Sequence, residues 1–350
     1  MTQRLRIAML APPWIPVPPP AYGGIETVVG LLVDALVARG HEVTLIAPPG
    51  SATNGDAVHP LERVPDTEIE RSLHEADHVA RAFDLVDEDG GYDVVHDHCG
   101  FTGLAFADRL RTPLVHTLHG PFDDDTCAFY AEHGSKGALV AISRAQAEMA
   151  PEGAAIAAVI PNPVDISLYP LQEDKGEHLL WMNRFAPVKG ADRAIDVARR
   201  AGRPLVLAGP VQTGQEEHFR EAVEPHIDGE RVRYAGEVGG AEKAELIGSA
   251  AALLMPIRWA EPFGMAMVEA MACGTPVLAF PEGAAPEVVQ DGVCGFLCDD
   301  EEAMAAAVER VGELDPAACR QCAERFDPDR VAAAYEQAYV QAAARAGSPG

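Results

Sequence analysis

Positive charge is scarce in this chain. Among 350 residues there are 27 lysines and arginines against 54 aspartates and glutamates, a formal net charge of −27 with histidine neutral. Only four of the cations are lysines, at positions 136, 175, 189 and 243. The acidic excess is spread over both halves and is not gathered in a tail. Such a field repels phosphate backbones and anionic lipid heads, so nucleic acid and membrane surfaces are poor partners. Long apolar runs are missing too: none approaches the roughly 20 residues that span a bilayer. The first apolar stretch, Ile7 to Ala11, is too short for a signal-peptide core, which leads to the expectation of a cytoplasmic protein. Seven cysteines make an odd, scattered count that fits a reduced chain better than a disulfide framework. Cys319 and Cys322 sit inside PAACRQCAERF, a helical pattern, so buried thiols are expected there and no metal site. Neither G-x-G-x-x-G nor a Walker-A loop occurs, which disfavours dinucleotide oxidoreductases and P-loop enzymes.

What is present alternates. RLRIAML, EVTLIA, YDVVH, PLVHTL, ALVAIS and AAVIP read as buried strands in the first half, and HLLWMN, PLVLAG, RVRYAG, AALLMP and TPVLAF in the second. Helical patterns such as ETVVGLLVDALVARG and ADRAIDVARRAG lie between them, several ending in Gly. Strand–helix alternation predicts parallel sheets covered by helices on both faces. At about 150 residues per domain, the length suggests roughly two domains. The pattern breaks near 163–177, where prolines and charges accumulate without periodicity. The expected fold class is α/β, with two Rossmann-like domains of parallel sheets facing across a cleft. The expected boundaries are 1–165 and 166–326, with a final helix in 327–350 packing back on the first domain.

Ligands of open α/β sheets bind beyond the carboxyl ends of strands, and chemistry-bearing residues gather there in this sequence. Gly23-Gly24 opens a helix whose free N–H groups suit a phosphate. His96-Asp97-His98 follows YDVV, and His119 follows PLVHTL. Arg184 and Lys189 flank a loop that runs into Gly190 and a helix, an arrangement suited to a diphosphate. Glu261 and Glu269 bracket Phe263-Gly264-Met265, whose backbone N–H groups open another helix. Two acids at this spacing can hold hydroxyls at separate places on a polyol ligand, whereas a hydrolytic acid/base pair would be closer.

Together these residues resemble family-4 retaining glycosyltransferases of the GT-B fold. The likeness rests on Glu261-Pro-Phe-Gly-x4-Glu269 as an E-x7-E motif, on Tyr22-Gly23-Gly24, and on Arg184-x4-Lys189-Gly190. Gly236-Glu237-Val238, Gly274-Thr275-Pro276-Val277 and Gly292-Val293-Cys294-Gly295-Phe296 extend it over nearly the whole chain. The resemblance implies that Glu261 holds donor sugar hydroxyls, Glu269 the nucleotide ribose, and Arg184 with Lys189 the diphosphate. It implies that Gly23-Gly24 closes on that diphosphate and that Val238 lies near the base, with Phe263, Gly264 and Met265 lining the donor. His119 takes the place of the family histidine beside the donor hexose. His96, Asp97 and His98 resemble the acceptor-side segment. The prolines at 12, 13, 16, 18, 19 and 20 depart from the simple family pattern in a loop expected to flank the acceptor.

The expected activity is retaining, metal-independent transfer of a hexose from a UDP- or GDP-linked sugar to an acceptor hydroxyl. The acceptor class stays open among metabolites, saccharides and natural products, and no cofactor is expected beyond the donor substrate. Alternatives are a nucleotide-sugar epimerase or phosphorylase on the same scaffold, or a non-enzymatic sugar-binding protein.

Overall fold

A computed structural model describes residues 4–20, 23–65 and 72–346, with side chains through residue 344. Tyr22 and the two ends of the expected first domain, 1–3 and 347–350, lie outside the described residues. The chain divides into two compact units, Met1–Pro163 with Pro328–Gly350, and Val164–Asp327.

Seven strands form the sheet of the first unit: β1 (Arg6–Leu10), β2 (Glu42–Ile46), β3 (Asp56–Val58), β4 (Val94–Asp97), β5 (Leu114–Thr117), β6 (Ala138–Ala141) and β7 (Ile156–Val159). Their order is 3-2-1-4-5-6-7, and every neighbouring pair is parallel. Six strands form the second sheet: β8 (Leu179–Met182), β9 (Leu205–Ala208), β10 (Val232–Tyr234), β11 (Ala252–Met255), β12 (Val277–Ala279) and β13 (Gly295–Leu297). They are ordered 10-9-8-11-12-13, again all parallel. The central strands are continuous apolar runs because both faces are covered, as in β8 and β11, where every residue is buried. Both sheets are thus the parallel, helix-covered Rossmann-like sheets that the alternation predicts.

Two edge strands escape the sequence reading, β3 and β13. Neither carries an apolar run: β3 is Asp-Ala-Val and mostly exposed, and β13 opens on a glycine. At the start of β13, a Cβ on Gly295 would come within 2.0 Å of the Val277 carbonyl oxygen, so glycine is what allows β13 to pair closely with β12.

Helix Gly24–Ala38 lays Val28, Val29, Leu32, Val33 and Leu36 inward, four of them against Ile7, Met9, Val43 and Leu45 of the first sheet. Helix Pro328–Ala346 joins the same core through Val331, Tyr335, Ala338, Tyr339 and Ala342, although the second unit precedes it in sequence. Arg39 fastens the two helices, donating to Glu336 at 2.6 and 3.0 Å and to Asp329 at 2.7 Å. The opposite face of the sheet is covered by helix Ser72–Asp89 through Val79, Ala82, Phe83 and Val86. In the second unit, Trp181, Phe185, Ile195, Leu207, Leu254 and Phe280 anchor the core. Among the described residues no helix is long and apolar enough to cross a membrane. The seven cysteines are free, five of them buried.

Chain order reverses between β1 and β4 in one sheet and between β8 and β11 in the other. Such switch points splay the loops apart and leave a crevice beyond the strand ends. His96, Asp97 and His98 end β4 or follow it, Arg184 and Lys189 follow β8, and Glu261 follows β11.

Candidate functional site

In the second unit, β8 runs into a loop carrying Arg184, then a short helical turn Pro187–Lys189 and helix Ala191–Arg200. Gly190 makes the junction with φ 73°, and a Cβ there would lie 2.5 Å from the Pro256 carbonyl oxygen. The buried indole of Trp181 donates to the Lys189 carbonyl at 3.1 Å and so fixes the backbone of that turn. Lys189 is 6 % exposed, and burial lowers its pKa although the neighbouring Glu261 works against that shift. Its Nζ pairs with Glu261 Oε2 and lies 4.8 Å from the centre of the Trp259 ring. Trp259 Nε1 donates to the same Glu261 oxygen at 2.7 Å. Arg184, only half-buried, has no ion-pair partner among the described residues. The loops after β8 and β11 thus bring together an unpaired guanidinium, a buried ammonium and a carboxylate held by two donors.

Glu261 lies in the loop, as its position before Pro262 suggests, and its backbone is closely packed. Its carbonyl accepts from Ala284 N at 2.9 Å, and a Cβ on Gly283 would lie 2.4 Å from both its nitrogen and its oxygen. Gly264 then turns the chain with φ 82° into helix Met265–Ala272. The unbonded N–H groups of a first helical turn point out of its N-terminal end, toward the side a phosphate or hydroxyl would use. Phe263 is a core residue, 3 % exposed, with its ring edge-on to Phe326 at 5.4 Å. Met265 is half-buried at the head of the helix, and Val238 is half-buried in the loop between β10 and helix Gly240–Gly248.

Glu269 sits within helix Met265–Ala272 and is 5 % exposed. Its Oε1 accepts from Tyr169 OH at 2.9 Å and from Lys243 Nζ at 2.6 Å. Burial and the adjacent carboxylate raise the pKa of Tyr169, which keeps this hydroxyl a donor. One carboxylate oxygen is therefore already engaged by the protein.

In the first unit, Gly23 precedes helix Gly24–Ala38, and a Cβ on it would lie 2.7 Å from Pro19 Cβ. Gly24 is exposed with open space around its Cα. The proline-rich loop before this pair is tied down at Val17, which is fully buried and whose N–H donates to Ser51 Oγ at 2.9 Å. Beside β1, the residues ending β4 and β5 form a cluster of histidines. His96 is fully buried, with Nδ1 2.8 Å from Tyr339 OH and Nε2 2.8 Å from Thr117 Oγ1. Asp97, also fully buried, accepts from Cys99 N at 2.8 Å and lies 2.7 Å from His116 Nδ1. Neither residue keeps a free polar atom for an acceptor molecule; both brace the ends of β4 and β5. His98 Nδ1 meets His119 Nε2 at 2.8 Å. His119 is partly buried at its surface, and burial of its ring, with His116 adding to it, pushes its pKa down to about 3, so the ring is neutral near pH 7.

Trp259, Lys243, Tyr169, Thr117, Tyr335 and Tyr339 belong to these clusters but escape the sequence reading. Trp259 stands only two residues before Glu261, and Lys243 is one of only four lysines in the chain. The remaining partners come from distant segments and carry no local signal.

Residues 22–168 match the family model for Glycosyltransferase Family 4, and residues 170–326 match that for Glycosyl transferases group 1. The chain is 26% identical to a D-inositol 3-phosphate glycosyltransferase of Pseudarthrobacter chlorophenolicus, over 85% of this chain and 84% of that protein. It is 28% identical to a phosphatidyl-myo-inositol mannosyltransferase of Mycolicibacterium smegmatis, over 89% and 86% respectively. The crystal structure of AviGT4, a glycosyltransferase involved in avilamycin A biosynthesis, superposes with a TM-score of 0.74 at 30% identity, covering 97% of this chain and 98% of that one.

Proposed function

This chain belongs to glycosyltransferase family 4, and on that premise we propose that it moves a hexose from a nucleotide diphosphate sugar to an acceptor hydroxyl with retention at the sugar carbon. The observation that carries the reading is the grouping of Arg184, Lys189 and Glu261 at the β8/β11 switch point. A diphosphate bridging Arg184 and Lys189 brings its attached sugar beside Glu261. As the bond from the sugar carbon to the phosphate oxygen breaks, charge grows on the leaving diphosphate, where fixed cations and helix N–H groups stabilise it. Glu261, held by Trp259 and Lys189, is set to accept hydrogen bonds from sugar hydroxyls. Glu269 keeps one oxygen for a ribose hydroxyl while Lys243 and Tyr169 hold the other. A protein nucleophile is not required by this arrangement.

Binding stabilises a folded protein by RT ln(1 + [L]/Kd), about 2.7 kcal/mol at a hundredfold excess over Kd. A thermal-shift series over UDP- and GDP-linked hexoses is expected to single out one base and one sugar. Failure of every nucleotide sugar to raise Tm while an unrelated ligand does so overturns the assignment.

Metal independence is part of the proposal, because side-chain cations and helix ends supply the charge a divalent ion would bring. The acidic run Asp123–Asp125 has another occupation: Asp123 caps helix Asp124–His133, accepting from Thr126 N at 2.8 Å while its own N–H donates to Thr126 Oγ1 at 2.7 Å. Turnover is expected to continue in excess chelator. Abolition by chelator with rescue by manganese would transfer the diphosphate to a metal.

A further inference from the structure

The buried histidines of the first unit include one with no task in this scheme. His98 follows β4 and is 1 % exposed. Its Nδ1 lies 2.8 Å from His119 Nε2, and the two rings stack with centroids 5.1 Å apart. On its other side the His96 ring packs with centroids 4.1 Å apart. His96 is itself immobilised by Tyr339 and Thr117, and Thr117 Oγ1 in turn meets Tyr335 OH at 2.9 Å. The His98 backbone N–H is fixed on the Leu10 carbonyl at 2.9 Å. The ring thus has one polar contact, His119, and its Nε2 is buried with no hydrogen-bond partner.

We propose that His98 is a positioning residue for His119, donating its Nδ1–H to His119 Nε2 and thereby leaving the His119 proton on Nδ1. The argument is a choice between two tautomer pairs. If His119 Nε2–H were the donor, neutral His98 would have to carry its own proton on Nε2, a buried N–H with no acceptor. If His98 Nδ1–H is the donor, the orphan atom is a bare ring nitrogen. Buried orphan N–H groups are rarer in proteins than under-used acceptors, so the second pair prevails. Burial works in the same direction by keeping both rings neutral, so that each carries a single ring proton and the choice of tautomer is a real one. With Nε2 occupied, His119 offers its other nitrogen as an N–H donor. It can hydrogen-bond a hydroxyl or phosphate oxygen and cannot serve as a general base through that atom.

The inference rests on the reading of His119 as the group beside the donor hexose, and it is tested first without catalysis. Nitrogen NMR of the intact protein labelled with 15N-histidine separates protonated from bare ring nitrogens. Wild-type His119 is expected to show a protonated Nδ1 and a bare Nε2; the reverse pattern, or two equally populated tautomers, overturns the proposal whether or not any variant folds. His98→Asn can place an amide donor near the Nδ1 position and is expected to keep the His119 pattern and most of kcat. His98→Leu removes the donor: the His119 signals are expected to move toward a tautomer mixture, and kcat to fall on the order of 10- to 100-fold with little change in donor KM. A folded His98→Leu with unchanged His119 signals and unchanged kcat sinks the idea. If the tautomer results hold but His119→Ala leaves kcat intact, the reading of His119 fails and the positioning contact stands.

Discussion

Glu261 and Glu269 have the same side chain and different neighbours, so the same substitution should fail in different ways. Glu261 receives Trp259 and Lys189 and lies where sugar hydroxyls are proposed, so Glu261→Gln keeps the shape but weakens an acceptor close to the reacting carbon. Its kcat is expected to fall on the order of 100-fold, with the Kd of free nucleotide diphosphate nearly unchanged. Glu269→Gln loosens contacts remote from the chemistry and should weaken nucleotide and nucleotide sugar alike, a uniform loss seen mainly in KM. Parallel losses of Tm with no kinetic contrast would make both acids mere scaffold. The cations divide similarly. Arg184 has no acidic partner among the described residues, so Arg184→Ala is expected to lose about 1.5–3 kcal/mol of diphosphate affinity, the range for charge-assisted bonds, with Tm intact. Lys189→Ala should lose comparable affinity and also stability, because Glu261, 14% exposed in its side chain, loses its ion-pair partner. Titration calorimetry and melting of both variants check the split. An Arg184→Ala protein that binds diphosphate like wild type removes Arg184 from the clamp.

At the scale of elements, glycine conformation sets where the site loops go. Gly283 has φ +55°, and a Cβ there would meet the Glu261 backbone at 2.4 Å, so Gly283→Ala must push the Glu261 loop away. Gly292 has φ +73° and nothing within 4 Å of a Cβ. Its alanine variant should lose only the roughly 1–2 kcal/mol of a left-handed non-glycine residue. Gly283→Ala is expected to lose more stability and most of kcat, and Gly292→Ala to keep kcat; equal kinetics in the two variants would separate loop packing from activity. The legibility of the chain follows the same division. The central strands could be read because burial on both faces makes them apolar runs, and helix starts could be read from glycine, proline and acid placement. β3 and β13 could not, since the largely exposed Asp-Ala-Val of β3 and the glycine-led Gly-Phe-Leu of β13 form no apolar run. In the site, the motif acids and cations were legible because they sit together at strand ends. Their holders were not: Tyr169 reaches Glu269 across 100 positions, and Tyr339 reaches His96 across 243. Such contacts arise only once the sheet has ordered its strands. Within the acidic run at 123–125, Asp123 is a helix cap, a role its local sequence allowed.

For the molecule as a whole, acid is expected to act unequally on the two units, and the reason is the histidine cluster. His78 is pushed down to about 4 by burial, with its Nε2 3.0 Å from the Ala11 carbonyl oxygen, while His96 and His98 are lowered by burial and by neighbouring imidazoles. All three lie in the first unit. A histidine of lowered pKa is neutral when folded and binds a proton when the chain unfolds below about pH 6.5. The unfolded state then holds more protons, so stability is fully present above pH 6.5 and declines as pH falls toward the folded values. Each proton taken up adds about 1.4 kcal/mol per pH unit to the slope. Glu336, whose pKa is lowered by Arg39, extends the loss to lower pH, whereas buried Glu26, raised by desolvation, opposes it with a single proton. The second unit has a lowered histidine in His178, whose partial burial makes a weaker contribution. Melting followed at Trp14, with Trp181 and Trp259 replaced by phenylalanine, should therefore show the first unit's Tm dropping steeply from pH 7 to pH 5. Melting of a Trp14→Phe protein should report a shallower dependence for the second unit. Replacing His78, which touches neither His98 nor His119 through a hydrogen bond, by glutamine should flatten the first slope by about one proton. A first-unit Tm independent of pH between 7 and 5 would mean that these imidazoles take up protons in the folded protein as readily as in the unfolded chain, and the neutral cluster around His119 would have to be abandoned.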